Sequence, residues 1–332
     1  MKYMDEYRDG AVAKALSERI RGISTKRVRL MEICGTHTMA IFRHGIRSLL
    51  PETIELVSGP GCPVCVTAME EIDRAVKLAR TPGVMVTTFG DMIRVPGSDS
   101  SLQMEQAQGA TVKMVYSTFD ALKMASENKG KEVVFLGIGF ETTSPTVAAA
   151  IQTAHTHGDA NFSVLSAHKL LPPAMDALLS AGNSMVDGFI CPGHVTTIIG
   201  TSSYENVVKH YKTPCVVTGF EPVDILQGIL MLVEQIESGR SEVEIQYTRG
   251  VSPEGNPGAL KIMNEVFEPC DAPWRGLGVI PGSGLAIRET YESFDARNRF
   301  DLEVPPAREP AGCLCAQILR GAAIPPDCKL FR

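Results

Sequence analysis

Two cysteines three residues apart, Cys62 and Cys65, lie in the segment SGPGCPVCVT, directly after the apolar run 54–57. Gly59, Pro60 and Gly61 force a tight turn there and let backbone come close to whatever sits beside it. A C-x-x-C on such a turn puts two thiols within reach of each other, for a disulfide or for one metal ion. Upstream, the strand-like run 28–33 ends in Cys34-Gly35-Thr36-His37-Thr38. Cysteines and a histidine thus follow two neighbouring strand candidates. Thiolates suit soft or borderline metals such as iron and zinc, and histidine serves as ligand or proton partner. A structural zinc site or buried inert thiols are the plainer alternatives.

Other polar residues recur at similar places. Glu141, in GIGFETTSP (137–145), follows a glycine turn; it is read as a proton acceptor or ligand, or as a helix-start carboxylate. Gly137-x-Gly139 begins like a dinucleotide loop, but Thr142 stands at the third glycine position and no Walker-type lysine motif occurs. His168-Lys169 and His194 follow further apolar runs, while Cys191 and Cys215 lie beside strand candidates and read as small core residues. Cys313, Cys315 and Cys328 sit in a loop-rich tail that can build little core, which suggests an iron–sulfur or zinc centre, with Cys270 a candidate fourth ligand.

Positioning these residues requires strands that end beside one another. Short β-rich runs at 28–33, 54–57, 84–88 and 111–115 are each followed by a polar loop and a helical pattern. After Asn128-Lys129-Gly130 the pattern restarts with runs at 133–136, 162–165, 188–190 and 214–217. Apolar strands alternating with helices predict parallel sheets covered on both faces. The fold class is therefore α/β: two Rossmann-like parallel-sheet units, 27–127 and 128–240, around a central cleft lined by loops at the carboxyl ends of the strands. An amphipathic helix at 4–22, within an N-terminal segment 1–26, is expected to pack with a smaller irregular iron–sulfur-type region, 241–332.

Composition narrows the classes. The 332 residues are 44% hydrophobic and 21% charged, ordinary globular values. A net charge of −6 argues against nucleic acid as the main partner. No apolar run approaches the length of a membrane span, and the charged N-terminus lacks a signal-peptide core. The chain reads as cytoplasmic, where nine cysteines point to catalytic, redox or metal-binding roles rather than structural disulfides.

Taken together, MEICGTHT (31–38), SGPGCPVCVT (58–67), GIGFETTSP, SAHKLLPPAM (166–175) and GFICPGHVTTIIG (188–200) resemble the HypD family of hydrogenase maturation factors. VTGFEPVDIL (217–226) and WRGLGVIPGSGL (274–285) extend the likeness, which runs from about Arg27 to the last residue. The resemblance implies a scaffold on which the Fe(CN)2CO group of [NiFe]-hydrogenases is built, with a HypC-type chaperone carrying iron and a HypE-type protein donating cyanide. Carried over by motif, Cys34 is the iron ligand shared with the HypC partner. Cys62 and Cys65 are the redox-active pair, His37 and Thr36 supports, and Glu141 a cleft carboxylate. The resemblance also implies a C-terminal [4Fe–4S] cluster, with Cys313 and Cys328 at its first two positions. Two further cysteines of the family pattern lie beyond CKLF, so the ligand set is expected to be incomplete in a chain ending at Arg332. From residue chemistry alone the thiol of Cys34 is expected to have a lowered pKa, through glycine amides and the nearby histidine. A thiol–disulfide oxidoreductase using Cys62 and Cys65 alone is the alternative activity.

Overall fold

The computed structural model describes residues 5–180, 185–307 and 309–331. The α/β class holds: the chain forms parallel sheets of five and four strands flanked by helices, together with one antiparallel hairpin. Numbered in chain order, the strands are β1 (Val28–Glu32), β2 (Ile54–Ser58), β3 (Val84–Thr88), β4 (Thr111–Met114), β5 (Glu132–Gly137), β6 (Phe162–Ser166), β7 (Gly188–Pro192), β8 (Cys215–Thr218), β9 (Val243–Ile245), β10 (Phe267–Trp274) and β11 (Gly278–Ile287).

Their pairing corrects the expected domain boundaries. The five-stranded sheet has the order β2-β1-β7-β8-β9 and the four-stranded sheet the order β4-β3-β5-β6. The compact units are accordingly the described residues of Met1–Cys62, Pro172–Pro257 and Gly312–Arg332, and those of Pro63–Leu171 and Gly258–Ala311. Neither is the contiguous 27–127 or 128–240 of the sequence reading. The region 241–332 is not one body either: β9 edges the first sheet, the β10–β11 hairpin belongs to the second unit, and the tail returns to the first. Strands buried on both faces read as unbroken apolar runs, so their pattern carries no information about which neighbour they pair with.

Within the second unit the side-chain period of two sorts the strand residues onto two faces. Met85, Val133, Phe135 and Phe162 enter one core cluster with residues of the helices Thr118–Glu127 and Ser144–His157. Val84, Val86, Val134 and Leu136 enter another with the helix Met69–Arg80. Leu285 and Ile287 of β11 close the first cluster, so the hairpin completes this unit's core.

In the first unit the N-terminal helix is Gly10–Ile23, capped by Asp9, whose carboxylate accepts from the amides of Ala11 and Val12. Residue 4, where this helix was expected to begin, lies outside the described residues. The helix packs on the long helix Pro222–Ser238 rather than on the C-terminal region: Ile20 is buried among Ile225, Ile229 and Val233, and Arg19 pairs with Glu234 at 2.6 Å. Its apolar stripe was legible in the sequence; its partner was set by which helix covers the same sheet. No helix among the described residues is long and apolar enough to cross a membrane.

Candidate functional site

Parallel pairing of β2, β1, β7 and β8 brings the loops after all four strands to one edge of the first sheet. These loops carry Cys34 and His37, Gly61 and Cys62, His194, and Gly219 with Phe220. The first two loops meet backbone to backbone. Gly59 N–H donates to Glu32 O at 2.8 Å, and Gly35 N–H to Gly61 O at 3.2 Å. A Cβ on Gly61 would fall 1.9 Å from Ile33 C and 2.0 Å from Cys34 N, so only glycine permits the approach. A Cβ on Gly35 would lie 3.4 Å from the Cβ of Cys62, which places Cys62 against the loop bearing Cys34.

Cys34 occupies the N-cap of the helix Gly35–Arg43 with extended backbone angles. Burial pushes its thiol pKa up; hydrogen bonds from the amides of His37 and Thr36 and from the Thr36 hydroxyl oppose that, and the Glu32 charge adds to it. The expected lowering is thus not met, because Cys34 is buried and a carboxylate lies close by. Ligation of a metal would reverse the balance, since a cation stabilises the thiolate outright.

Glu32 was not singled out from the sequence. It is 1% exposed, and burial pushes its pKa up to about 7 against hydrogen bonds from Ser58, Thr38 and the Cys34 amide. Its carboxylate accepts from Cys34 N–H at 3.0 Å and from the Thr38 hydroxyl at 2.5 Å, pinning the cysteine loop to the strand end. The available signal was a carboxylate inside an apolar run: with both sheet faces covered, such a residue has no route to water.

His37 is fully buried and its ring is committed to the β8 loop, with Nε2 2.9 Å from Gly219 O and 2.8 Å from the Thr218 hydroxyl. A carbonyl only accepts, so Nε2 carries the proton and Nδ1 is left as an acceptor with no partner among the described residues. Burial lowers its pKa to about 4. Phe220 lies against both His37 (4.6 Å between centroids) and His194 (5.1 Å), and burial lowers the pKa of His194 as well. Both histidines are neutral near pH 7, so neither supplies a cation to the Cys34 thiol.

Glu141 and Cys65 belong to the second unit. Cys65 is exposed on the short helix Pro63–Val66. Glu141 is 2% exposed; Oε1 accepts from Leu171 N–H at 2.8 Å, while Oε2 has no partner among the described residues. Burial raises its pKa to about 7. The neighbouring glycine permits a close contact: a Cβ on Gly139 would sit 1.8 Å from Thr143 Oγ1. Cys191 and Cys215 are fully buried on β7 and β8, as core residues.

In the tail the thiols of Cys313 and Cys315 lie within 4.8 Å of one another, and Cys315 N–H points to Cys313 Sγ at 3.5 Å. Cys328 Sγ reaches Gly312 O at 3.8 Å. These contacts bring Cys315 to Cys313, and Cys270 belongs to the second unit. A [4Fe–4S] cluster of the usual kind takes four thiolates. The three cysteines of the described tail do not by themselves make that donor set.

A family model described as HypD, hydrogenase formation hypA family, matches residues 11–332. The chain is 50% identical over 340 residues to hydrogenase maturation factor HypD of Azotobacter vinelandii, covering 100% of this chain and 90% of that protein. It is equally 50% identical over 340 residues, with the same coverage, to hydrogenase expression/formation protein HupD of Azotobacter chroococcum mcd 1. Identity to hydrogenase maturation factor HypD of Rhizobium leguminosarum bv. viciae is 46% over 341 residues, covering 100% and 89%. On the motifs, the fold and these relatives, the chain belongs to the HypD family of hydrogenase formation proteins.

Proposed function

We propose that the protein is a hydrogenase maturation factor that holds iron as cargo through the Cys34 thiolate while the Fe(CN)2CO group is assembled. In this reading a HypC-type chaperone supplies a second thiolate to the same iron, and a HypE-type protein delivers the cyanide. Iron carrying cyanide and carbon monoxide accepts soft thiolate donors, and a thiolate from each of two proteins permits handover. In the same reading Cys62 and Cys65 act as a thiol/disulfide pair.

The observation that carries this reading is the setting of Cys34. Its thiol meets helix N-terminal amides, its backbone is pinned by Glu32, and the loop of Cys62 packs against its own loop across Gly61. A thiol so held is preorganised, and the metal's charge offsets the burial that opposes its ionisation. His37, held neutral by burial, supplies no cation there. The test is anaerobic co-isolation with a HypC-type partner followed by iron analysis. Wild type is expected to retain iron and partner together, Cys34→Ala to lose both, and Cys191→Ala to keep both. Full iron retention by Cys34→Ala would refute the assignment.

A further inference from the structure

The second unit contains a cavity of about 330 Å³, all of whose lining residues belong to that unit. The backbone around Lys169 is clamped between two elements. Lys169 N–H donates to Gly139 O at 2.9 Å, Leu170 N–H donates to Ser283 O at 2.8 Å, and Lys169 forms a bridge with Gly284 of the hairpin. This carries the Lys169 side chain into the cavity wall, where the residue is only 2% exposed. Among the described residues its ammonium makes no hydrogen bond and no ion pair.

The carboxylates of the wall are already engaged. Glu71, 4% exposed, accepts from Arg297 Nη2 at 2.9 and 2.7 Å and from Arg74 Nη1 at 2.8 Å. Asp295 caps the helix Ala296–Arg299 by accepting from Arg297 N–H at 2.8 Å. Asp271 is exposed and accepts from Gly282 N–H at 2.9 Å. Lys169, Arg74 and Arg297 therefore share one deeply buried carboxylate: the two arginines hold Glu71 by direct ion pairs, while the charges of Glu71 and of the Cys270 thiolate act on Lys169 without contact. A buried ammonium without a partner is unfavourable unless it loses its proton or gains an anion, and burial does push the Lys169 pKa down. The space beside it is kept open by sequence: a Cβ on Gly284 would lie 2.6 Å from Ala272 Cβ and 3.2 Å from Cys270 Sγ. Ala167, Ala272 and Leu285 form an apolar part of the remaining wall, beside Ser166 and His168, whose Nε2 has no partner among the described residues.

We propose that this cavity binds a small carboxylate-type anion, paired with the Lys169 ammonium and seated with its carbon against the apolar wall. The volume lies at the low end for small-molecule sites, which suits a ligand of a few heavy atoms rather than a nucleotide. Nothing in the iron-carrying reading requires this site, and its failure would leave that reading untouched.

Cys270, half-buried in the same wall, is a built-in reporter. Iodoacetate is a small carboxylate that alkylates a thiolate with loss of iodide; iodoacetamide is its neutral counterpart. Alkylation of Cys270 is followed by mass spectrometry in the full-length protein, and each iodoacetate-to-iodoacetamide rate ratio is divided by that of the urea-unfolded chain. The normalised ratio is expected to be about tenfold above one in wild type, and near one in Lys169→Met. Added acetate is expected to slow the reaction of wild-type Cys270 with iodoacetamide. A wild-type ratio near one, a ratio unchanged by Lys169→Met, or no protection by acetate would overturn the proposal. Should Lys169→Met fail to fold, acetate protection of the wild type decides alone.

Discussion

At the residue scale the account turns on buried polar groups whose partners are few and specific. Glu32 accepts from the buried Cys34 amide and from the part-buried Thr38 hydroxyl. Glu32→Leu leaves the Cys34 amide unpaired and the Thr38 hydroxyl with only its longer bond to Cys34 O at 3.3 Å, and is expected to destabilise the protein by about 1–3 kcal/mol in urea unfolding, whereas Glu32→Gln keeps an acceptor and changes stability less. Glu141 has a different signature. Its folded pKa of about 7 lies above the ordinary 4.5, so its contribution to stability is fully present below about pH 4.5 and is lost as pH rises through 7. Glu141→Gln keeps the acceptor for Leu171 N–H and removes the titration. Its stability relative to wild type is therefore expected to rise with pH by roughly 1.4 kcal/mol per unit between 4.5 and 7. Chemical unfolding at several pH values reads this directly; a pH-independent difference would contradict it. Cys34, His37 and Glu141 were legible as candidates because chemistry-bearing residues followed apolar runs. The sign of the Cys34 shift was not, since it depends on burial and on Glu32, which read as one more residue of a strand.

At the scale of elements, the cysteine loops are placed by strand ends and held by glycine. Gly61→Ala would drive a methyl into the backbone between Ile33 and Cys34, where no rotamer change can relieve it. The expected loss is about 3 kcal/mol or more in thermal or urea unfolding, together with weaker iron retention. Gly130→Ala, where a Cβ meets nothing within 4 Å, is the matched control. The strands β1–β8 were legible as apolar runs bounded by turn residues, whereas β10 and β11, FEPCDAPW and GVIPGSGLAI, carry prolines and glycines and fell in the region read as irregular. Val243–Ile245, within the region read as irregular, supplies β9 at the sheet edge.

At the scale of the whole molecule, what the sequence concealed is the interleaving of the two units. The chain passes from the first to the second between Cys62 and Pro63, inside the C-x-x-C itself, and returns between Leu171 and Pro172, inside SAHKLLPPAM. No change of composition marks either point, and doubly buried strands carry no face code for their neighbours. Cys62 thus belongs to one compact unit and Cys65 to the other, while Cys34 shares its unit with Cys62. The central claim is that this unit holds iron through Cys34 during assembly of the Fe(CN)2CO group. Its most direct test is infrared spectroscopy, in the cyanide and carbonyl stretching region, of the protein isolated anaerobically with a HypC-type partner and supplied with a HypE-type cyanide donor. Wild type is expected to show both sets of bands and Cys34→Ala neither; bands of full intensity in Cys34→Ala, or none in wild type, would contradict the account.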